Sequence, residues 1–226
     1  MDRLAGSPWS TPATVAGFAQ SQPNAALIRF ADAELRTKRG ARALDIGCGA
    51  ARNAVPLAAL GWAVLGIDLS TPMVAAAVQR ARVEAPAQHL HFAIAPMDRI
   101  PAVSGSFDLI IAHGIWNLAA SSAEFRRGVR EAARVARSGA GLFVFKFSRN
   151  TLPPEAEPVP GEAFVYTQFA GTPQCFVTDR QLMSELADGG FIQEAGVPLV
   201  EHNRRRPGGL QGNGPVIYEG IFRYRG

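Results

Sequence analysis

Residues 44–53, LDIGCGAARN, contain a short apolar run, an acid and two glycines separated by one residue. Gly47 and Gly49 have no Cβ, so they can adopt positive φ and let a ligand approach the backbone closely. A glycine turn after a buried strand suits a nicotinamide dinucleotide, a nucleotide phosphate or a sulfonium cofactor. Arg52 stands where the dinucleotide pattern G-x-G-x-x-G has its third glycine, and no Gly-Lys-Ser/Thr follows as a phosphate-binding loop requires. The turn alone leaves the ligand open.

A second acid, Asp68, ends the apolar run AVLGID, 19 residues after Gly49. A carboxylate at this strand end can accept hydrogen bonds from both hydroxyls of a ribose. The same charge disfavours a 2′-phosphate, which argues against a phosphorylated nicotinamide cofactor. The alternative interpretation is a helix-capping acid before Ser70.

Short apolar segments alternate along the chain with stretches long enough for crossover helices. They are residues 42–47, 63–68, 89–95, 107–113 and 141–147. Nearly continuous apolar strands of this kind predict a parallel sheet that is buried on both faces. Residues 215–225 follow a strand ending near Val200 with only a polar loop between them, and such a direct link predicts an antiparallel pair. The pattern therefore predicts a doubly wound α/β domain closed by one antiparallel C-terminal strand.

Signals for helix starts and ends occur between the apolar segments. A helical N-terminal segment is predicted at about 11–38, broken near Pro23. Asn53, Thr71, Ser121 and Thr178 are predicted N-caps. The helix after Ser121 is expected to present Ala136 on its apolar face and to end at Gly139.

The chain of 226 residues is long enough for a single globular domain. Its net charge of +4 permits an anionic partner but does not require nucleic acid. The sequence has no apolar run long enough for a membrane span and no secretory signal, so a cytoplasmic location is expected. Cys48 and Cys175 are expected to be reduced thiols, and no metal site is predicted.

Residues 43–81 and 99–119 together resemble class I S-adenosylmethionine-dependent methyltransferases. They are most similar to small-molecule enzymes of the thiopurine and tellurite methyltransferase type, whose glycine turn often continues into Arg-Asn. The resemblance extends over about 40–225. It implies a Rossmann-like, seven-stranded sheet in a methyltransferase domain at 40–226, with residues 1–39 as a helical lid. It also implies methyl transfer from S-adenosylmethionine to an O, N, S or chalcogen atom of a small molecule, with S-adenosylhomocysteine as product.

The resemblance assigns the cofactor site residue by residue. Its members are Asp45, Gly47, Cys48, Gly49, Asp68, Leu69, Met73, Met97 and Asp98. The glycine turn would surround the aminoacyl part, Asp68 would hold the ribose, and the apolar side chains would contact the adenine. The family's usual acid for the adenine amine falls on Pro96 here, so either Asp98 or the backbone would bind that amine.

Methyl transfer requires alignment of donor and nucleophile, exclusion of water and, for some acceptors, removal of a proton. His113, directly after the fourth predicted strand, is the candidate base; the alternative is a histidine bonded to backbone or facing the cofactor. Trp116 is either a pocket or a core residue. The loop 148–177 and the lid supply further candidates for an apolar acceptor pocket. These are Trp9, Phe18, Phe164, Tyr166, Phe169 and Phe176.

Three other functions compete with small-molecule methylation. A nicotinamide-dependent reductase is opposed by Arg52 and by the terminal strand pair. A nucleic-acid methyltransferase is opposed by AHGI after the fourth strand, where an Asp/Asn-Pro-Pro-aromatic pattern would stand. A non-catalytic, cofactor-binding accessory protein would keep the same pocket. The sequence leaves open the acceptor atom, the use of a base, the oligomeric state and the role of Arg204–Arg206.

Overall fold

The structure is a computed structural model that describes residues 4–38, 40–84, 89–204 and 214–226. The helices are α1 Pro12–Gln20, α2 Ala25–Leu35, α3 Ala54–Leu60, α4 Thr71–Glu84, α5 Ser122–Val135 and α6 Asp179–Asp188. The strands are β1 Arg42–Ile46, β2 Ala63–Asp68, β3 Leu90–Ile94, β4 Phe107–His113, β5 Ala136–Phe147, β6 Val165–Tyr166, β7 Gln174–Cys175, β8 Phe191–Gln193, β9 Val200–His202 and β10 Ile217–Tyr224.

The main sheet has the strand order β3-β2-β1-β4-β5-β10-β8, with β9 also paired to β10. Strands β3, β2, β1, β4 and β5 are parallel, whereas β10 runs antiparallel to β5, β8 and β9. β8 pairs with the end of β10 and β9 with its beginning, so the two share one outer position. The strands of the main sheet thus fill seven positions, and β6 and β7 form a separate pair. This arrangement confirms the predicted Rossmann-like α/β sheet with its antiparallel C-terminal strand.

The helix boundaries follow the cap signals with two exceptions. Thr178 and Gln181 form the predicted capping box, and the Ser121 side chain accepts from the Glu124 N–H. α5, however, ends at Val135 instead of Gly139, because β5 begins at Ala136. The predicted cap at Thr71 is also wrong by one residue.

The cap of α4 is Ser70, whose hydroxyl accepts from the Met73 N–H at 3.3 Å, and Thr71 is already the first helical residue. Asn53 stands at the cap position of α3, but its side chain does not cap that helix. Its Oδ1 accepts instead from the Asn24 N–H at 3.0 Å. The Asn53 side chain does not cap α3 because the Asn24 N–H competes for the same short side chain.

Each face of the sheet is covered by helices and carries its own apolar cluster. One cluster includes Phe125 of α5 and Leu182 of α6. The other includes Leu27 and Ala31 of α2 with Trp62, whose indole N–H donates to the Ala31 carbonyl. α2 therefore packs as part of the core, whereas the described residues before it lie outside the two clusters.

None of the helices in the described ranges combines the length and the apolar character that a membrane crossing needs.

Candidate active site

The glycine turn lies where β1 ends, at the carboxyl edge of the parallel strands. Gly47 and Gly49 have φ of 68° and 52°, in the left-handed region that favours glycine. A Cβ built on Gly47 would lie 2.7 Å from the Cβ of Ile115, so this position has no room for a side chain. The turn thus brings bare backbone close to the loop after β4.

The Asp68 carboxylate ties the glycine turn to the end of β2. Its Oδ2 accepts from the Gly49 N–H at 2.9 Å and its Oδ1 from the Ser70 N–H at 2.8 Å. A carboxylate oxygen has more than one lone pair, so a bond to a backbone N–H does not by itself prevent it from accepting from a ligand hydroxyl. The side chain is half-buried, and the geometry agrees with both interpretations of Asp68, ribose ligand and helix-start acid.

Asp45 is a buried carboxylate directly beneath the glycine turn. Its side chain is 2% exposed, and its Oδ2 has no hydrogen-bond partner among the described residues. Burial raises the pKa of Asp45 from 3.8 to about 7; the nearby Arg52 charge opposes this shift and Asp68 adds to it. A buried oxygen without a partner costs free energy, so this position favours a ligand that donates a hydrogen bond.

His113, the predicted base, ends β4 beside Arg52 of the glycine turn. The Arg52 guanidinium donates to Nδ1 of His113 at 2.8 Å. The imidazole also stacks on Phe145, with ring centroids 4.1 Å apart. Burial, together with the Arg52 charge, lowers the pKa of His113 from 6.5 to about 3. The ring is therefore neutral near pH 7, and the Nδ1 lone pair that would take a proton is already engaged.

The remaining predicted cofactor residues surround the same edge. Met73 and Met97 are buried and Leu69 is half-buried. The Cys48 N–H donates to the Ile67 carbonyl, and burial raises the pKa of the Cys48 thiol well above its ordinary value. Asp98 forms an ion pair with Arg127 at 3.0 Å, so binding of an adenine amine by Asp98 would compete with this arginine.

The N-terminal segment covers the glycine turn. Trp9 and Phe18 pack edge to face with centroids 6.0 Å apart, and the Phe18 ring lies 3.3 Å from a Cβ built on Gly49. The Ser70 hydroxyl donates to the Trp9 carbonyl at 3.2 Å. These contacts place the predicted Trp9 beside the carboxyl edge of β2.

The other predicted acceptor residues lie mostly in the core. Trp116 is fully buried, packs on Phe125 at 5.8 Å, and its indole N–H has no partner among the described residues. Tyr166 is 6% exposed and accepts from Arg149. Phe164 and Phe176 are also buried, and of the predicted aromatic wall only Phe169, at 44%, is exposed. An acceptor would reach Trp116 or Tyr166 only if this packing opened.

The basic run Arg204–Arg206 lies mainly outside the described residues, since Arg205 and Arg206 are not among them. Arg204 is exposed and pairs with Glu201 at 3.3 Å. No group of three or more His, Cys, Asp or Glu in the described ranges is arranged to hold a metal ion.

Three side chains that connect to His113 through successive contacts were not identified from the sequence. Asn24 lies 3.3 Å from Nε2 of His113 through its Nδ2, which also donates to Glu219 Oε2 at 2.7 Å. His202 Nε2 lies 3.5 Å from Glu219 Oε1. The one available sequence signal was Glu219 itself, an acid inside the apolar and aromatic strand PVIYEGIF.

Comparisons with known proteins agree with this fold. Residues 43–139 match a protein family described as "Methyltransferase domain". The ubiquinone/menaquinone biosynthesis C-methyltransferase UbiE of Geotalea uraniireducens is 29% identical over 124 residues, which are 53% of this chain and 51% of that protein. Norajmaline N-methyltransferase of Rauvolfia serpentina is 30% identical over 65% of this chain and 51% of its own length. The chain thus spans about half the length of these curated relatives.

Among solved structures, 1,6-didemethyltoxoflavin-N1-methyltransferase of Burkholderia thailandensis, with bound 1,6-didemethyltoxoflavin and S-adenosylhomocysteine, has a TM-score of 0.64 at 18% identity. The similarity covers 89% of this chain and 79% of that one. Residues 43–139 thus match a methyltransferase-domain family, and the solved structure shares the fold of this chain. The narrower thiopurine and tellurite group stays a prediction.

Proposed function

We propose that this chain, whose residues 43–139 match a methyltransferase-domain family, is an enzyme that transfers the methyl group of S-adenosylmethionine to a small-molecule nucleophile. The observation that carries the proposal is the combination of a positive-φ glycine turn, Asp68 at the end of β2 and the partnerless Asp45 oxygen beneath the turn. The relatives named as a ubiquinone/menaquinone biosynthesis C-methyltransferase and a norajmaline N-methyltransferase support a small-molecule acceptor.

The residues present fit this cofactor. Gly47 and Gly49 present backbone without side chains at the turn, and the Asp45 Oδ2 has an unused acceptor position for an ammonium group. Asp68 would accept from the two ribose hydroxyls while it keeps its bonds to the turn. Met73 and Met97, with Leu69, would provide apolar surface to the adenine.

When bound, S-adenosylmethionine supplies an electrophilic methyl group on a sulfonium sulfur. The protein then has to hold the nucleophile in line with that methyl group and exclude water. Trp9 and Phe18 lie over the turn and would exclude water from it. His113 was predicted to be a base, but Arg52 occupies its Nδ1; we assign it instead the role of fixing Arg52 and forming an aromatic wall with Phe145.

Calorimetry with S-adenosylhomocysteine tests the proposal directly. Wild-type protein should bind this product and not NAD, and Asp68→Ala should lose most of the affinity. Asp32→Ala is the control, because Asp32 is 45% exposed in an i,i+4 pair with Arg36 on α2. Folded wild-type protein that does not bind the product would overturn the proposal.

Methyl transfer is then followed with isotope-labelled S-adenosylmethionine and a metabolite extract. Label in a small-molecule fraction is the expected result. Label in added RNA would favour the nucleic-acid alternative, and product binding without transfer to either would favour the accessory protein.

A further inference from the structure

We propose that Glu219, with His202 beside it, forms the acceptor-recognition end of the active site and binds an N–H or O–H group of a planar methyl acceptor. This inference rests on the proposed methyltransferase function and adds to it the side chain that selects the acceptor. In this proposal Glu219 binds and orients the acceptor.

The strand register places Glu219 in line with the residues of the candidate site. His113 on β4 pairs with Phe145 on β5, and Phe145 pairs with Glu219 on β10. Residues directly opposite on neighbouring strands project to the same face of a sheet. The three side chains therefore form one row along the carboxyl edge, with the cofactor side at His113 and a carboxylate at the far end.

The charge environment of Glu219 differs from that of other carboxylates with similar exposure. Its side chain is 14% exposed, and its one ion-pair partner among the described residues is His202, at 3.5 Å. Four other carboxylates with side chains 12–15% exposed each have an arginine or lysine partner within 3.3 Å. They are Glu34, Asp108, Glu185 and Glu201. A half-buried carboxylate that has no arginine or lysine partner among the described residues is suited to a ligand that donates hydrogen bonds.

Asn24 shows where such a ligand group would lie. The side-chain amide nitrogen of Asn24 lies between the two ends of the row, 3.3 Å from His113 Nε2 and 2.7 Å from Glu219 Oε2. Asn24 belongs to the linker between α1 and α2, while its Oδ1 caps α2 through the Leu27 N–H. An acceptor amine or hydroxyl would replace the Asn24 amide as the group that donates to Glu219 Oε2.

The apolar side chains beside this row favour a planar acceptor. The half-buried Phe145 separates His113 from Glu219, and its ring stacks on the His113 imidazole with centroids 4.1 Å apart. Aromatic faces and a carboxylate together match an aromatic ring that carries an amine or hydroxyl.

The test uses three probes that share one ring: benzylammonium, benzyl alcohol and benzyl methyl ether. Their dissociation constants are measured by NMR titration of full-length protein, with and without saturating S-adenosylhomocysteine. Wild-type protein should bind the two donors more tightly than the ether. Glu219→Gln should weaken benzylammonium binding about tenfold or more, the usual effect of removing a hydrogen bond to a charged group, and change the ether less than about twofold.

Glu185→Gln is the matched control, because Glu185 has similar exposure but lies on α6 against Arg126 of α5. It should leave all three probe affinities unchanged. Equal binding of the three probes, no binding of any, or full benzylammonium affinity in folded Glu219→Gln would each overturn the inference. The affinity for S-adenosylhomocysteine, measured in parallel, separates failure of this inference from failure of the proposed function. Glu219→Gln should keep the wild-type affinity for this product. A loss of product affinity as large as the loss of benzylammonium affinity would mean that Glu219 supports the cofactor pocket instead.

Discussion

The buried carboxylate of Asp45 should make the stability of the protein depend on pH in a way that one substitution removes. Burial raises the pKa of Asp45 from 3.8 to about 7. The folded state then holds the Asp45 proton more tightly than the unfolded chain does, so protonation of Asp45 stabilises the fold. This contribution to the free energy of unfolding is fully present below pH 3.8. It is lost as the pH rises through about 7. The shift is about three pKa units, or about 4 kcal/mol at about 1.4 kcal/mol per unit.

Asp45→Asn has nearly the same shape but no titrating group. Urea unfolding of both proteins without ligand, followed by tryptophan fluorescence, gives the difference in their free energies of unfolding at pH 5, 6, 7 and 8. That difference should move in favour of the variant by about 3 kcal/mol from pH 5 to pH 8, about two pKa units of the interval.

The same group predicts the pH dependence of ligand binding. An ammonium group next to Asp45 favours the ionised carboxylate, so wild-type affinity for S-adenosylhomocysteine should rise between pH 6 and pH 8. The Asn variant should lack that rise and bind weakly throughout. A stability difference that stays constant across the pH range would refute the description of Asp45 as a desolvated acid with a raised pKa.

Four further substitutions test separate parts of the site and the core. Asp68→Ala should weaken S-adenosylhomocysteine binding at least about tenfold in calorimetry, since two ligand hydrogen bonds to a charged acceptor are lost. Gly47→Ala should abolish product binding and lower the melting temperature, because its Cβ would lie 2.7 Å from Ile115 and its φ is 68°. His113→Gln should leave any slope of kcat between pH 5.5 and 7.5 unchanged, since the pKa of His113 is about 3; disappearance of a slope would restore His113 as the base. Burial lowers the pKa of Lys146 from 10.5 to about 7, so wild-type stability should rise relative to Lys146→Met between pH 7 and pH 10 in urea unfolding, and a fall would contradict it.

The identity of the β-strands and the glycine turn could be predicted because the signals for them are local. Apolar runs of six or seven residues mark β1, β2 and β4 within one residue of their ends. The end of α5 could not be found in this way. Gly139 is a plausible helix stop, but the chain enters β5 at Ala136 because pairing with β4 begins there. A tertiary hydrogen-bonding partner overrode a local signal.

The sequence by itself determined the class of fold, the glycine turn and the placement of Asp45 and Asp68 at neighbouring strand ends, because backbone preferences and apolar periodicity act over a few residues. Only the tertiary structure decided that Arg52 engages His113, that Trp116 is buried, and that Glu219 stands in one row with His113. These relations join residues far apart in the chain, and they depend on strand order, register and helix packing. No local pattern encodes them.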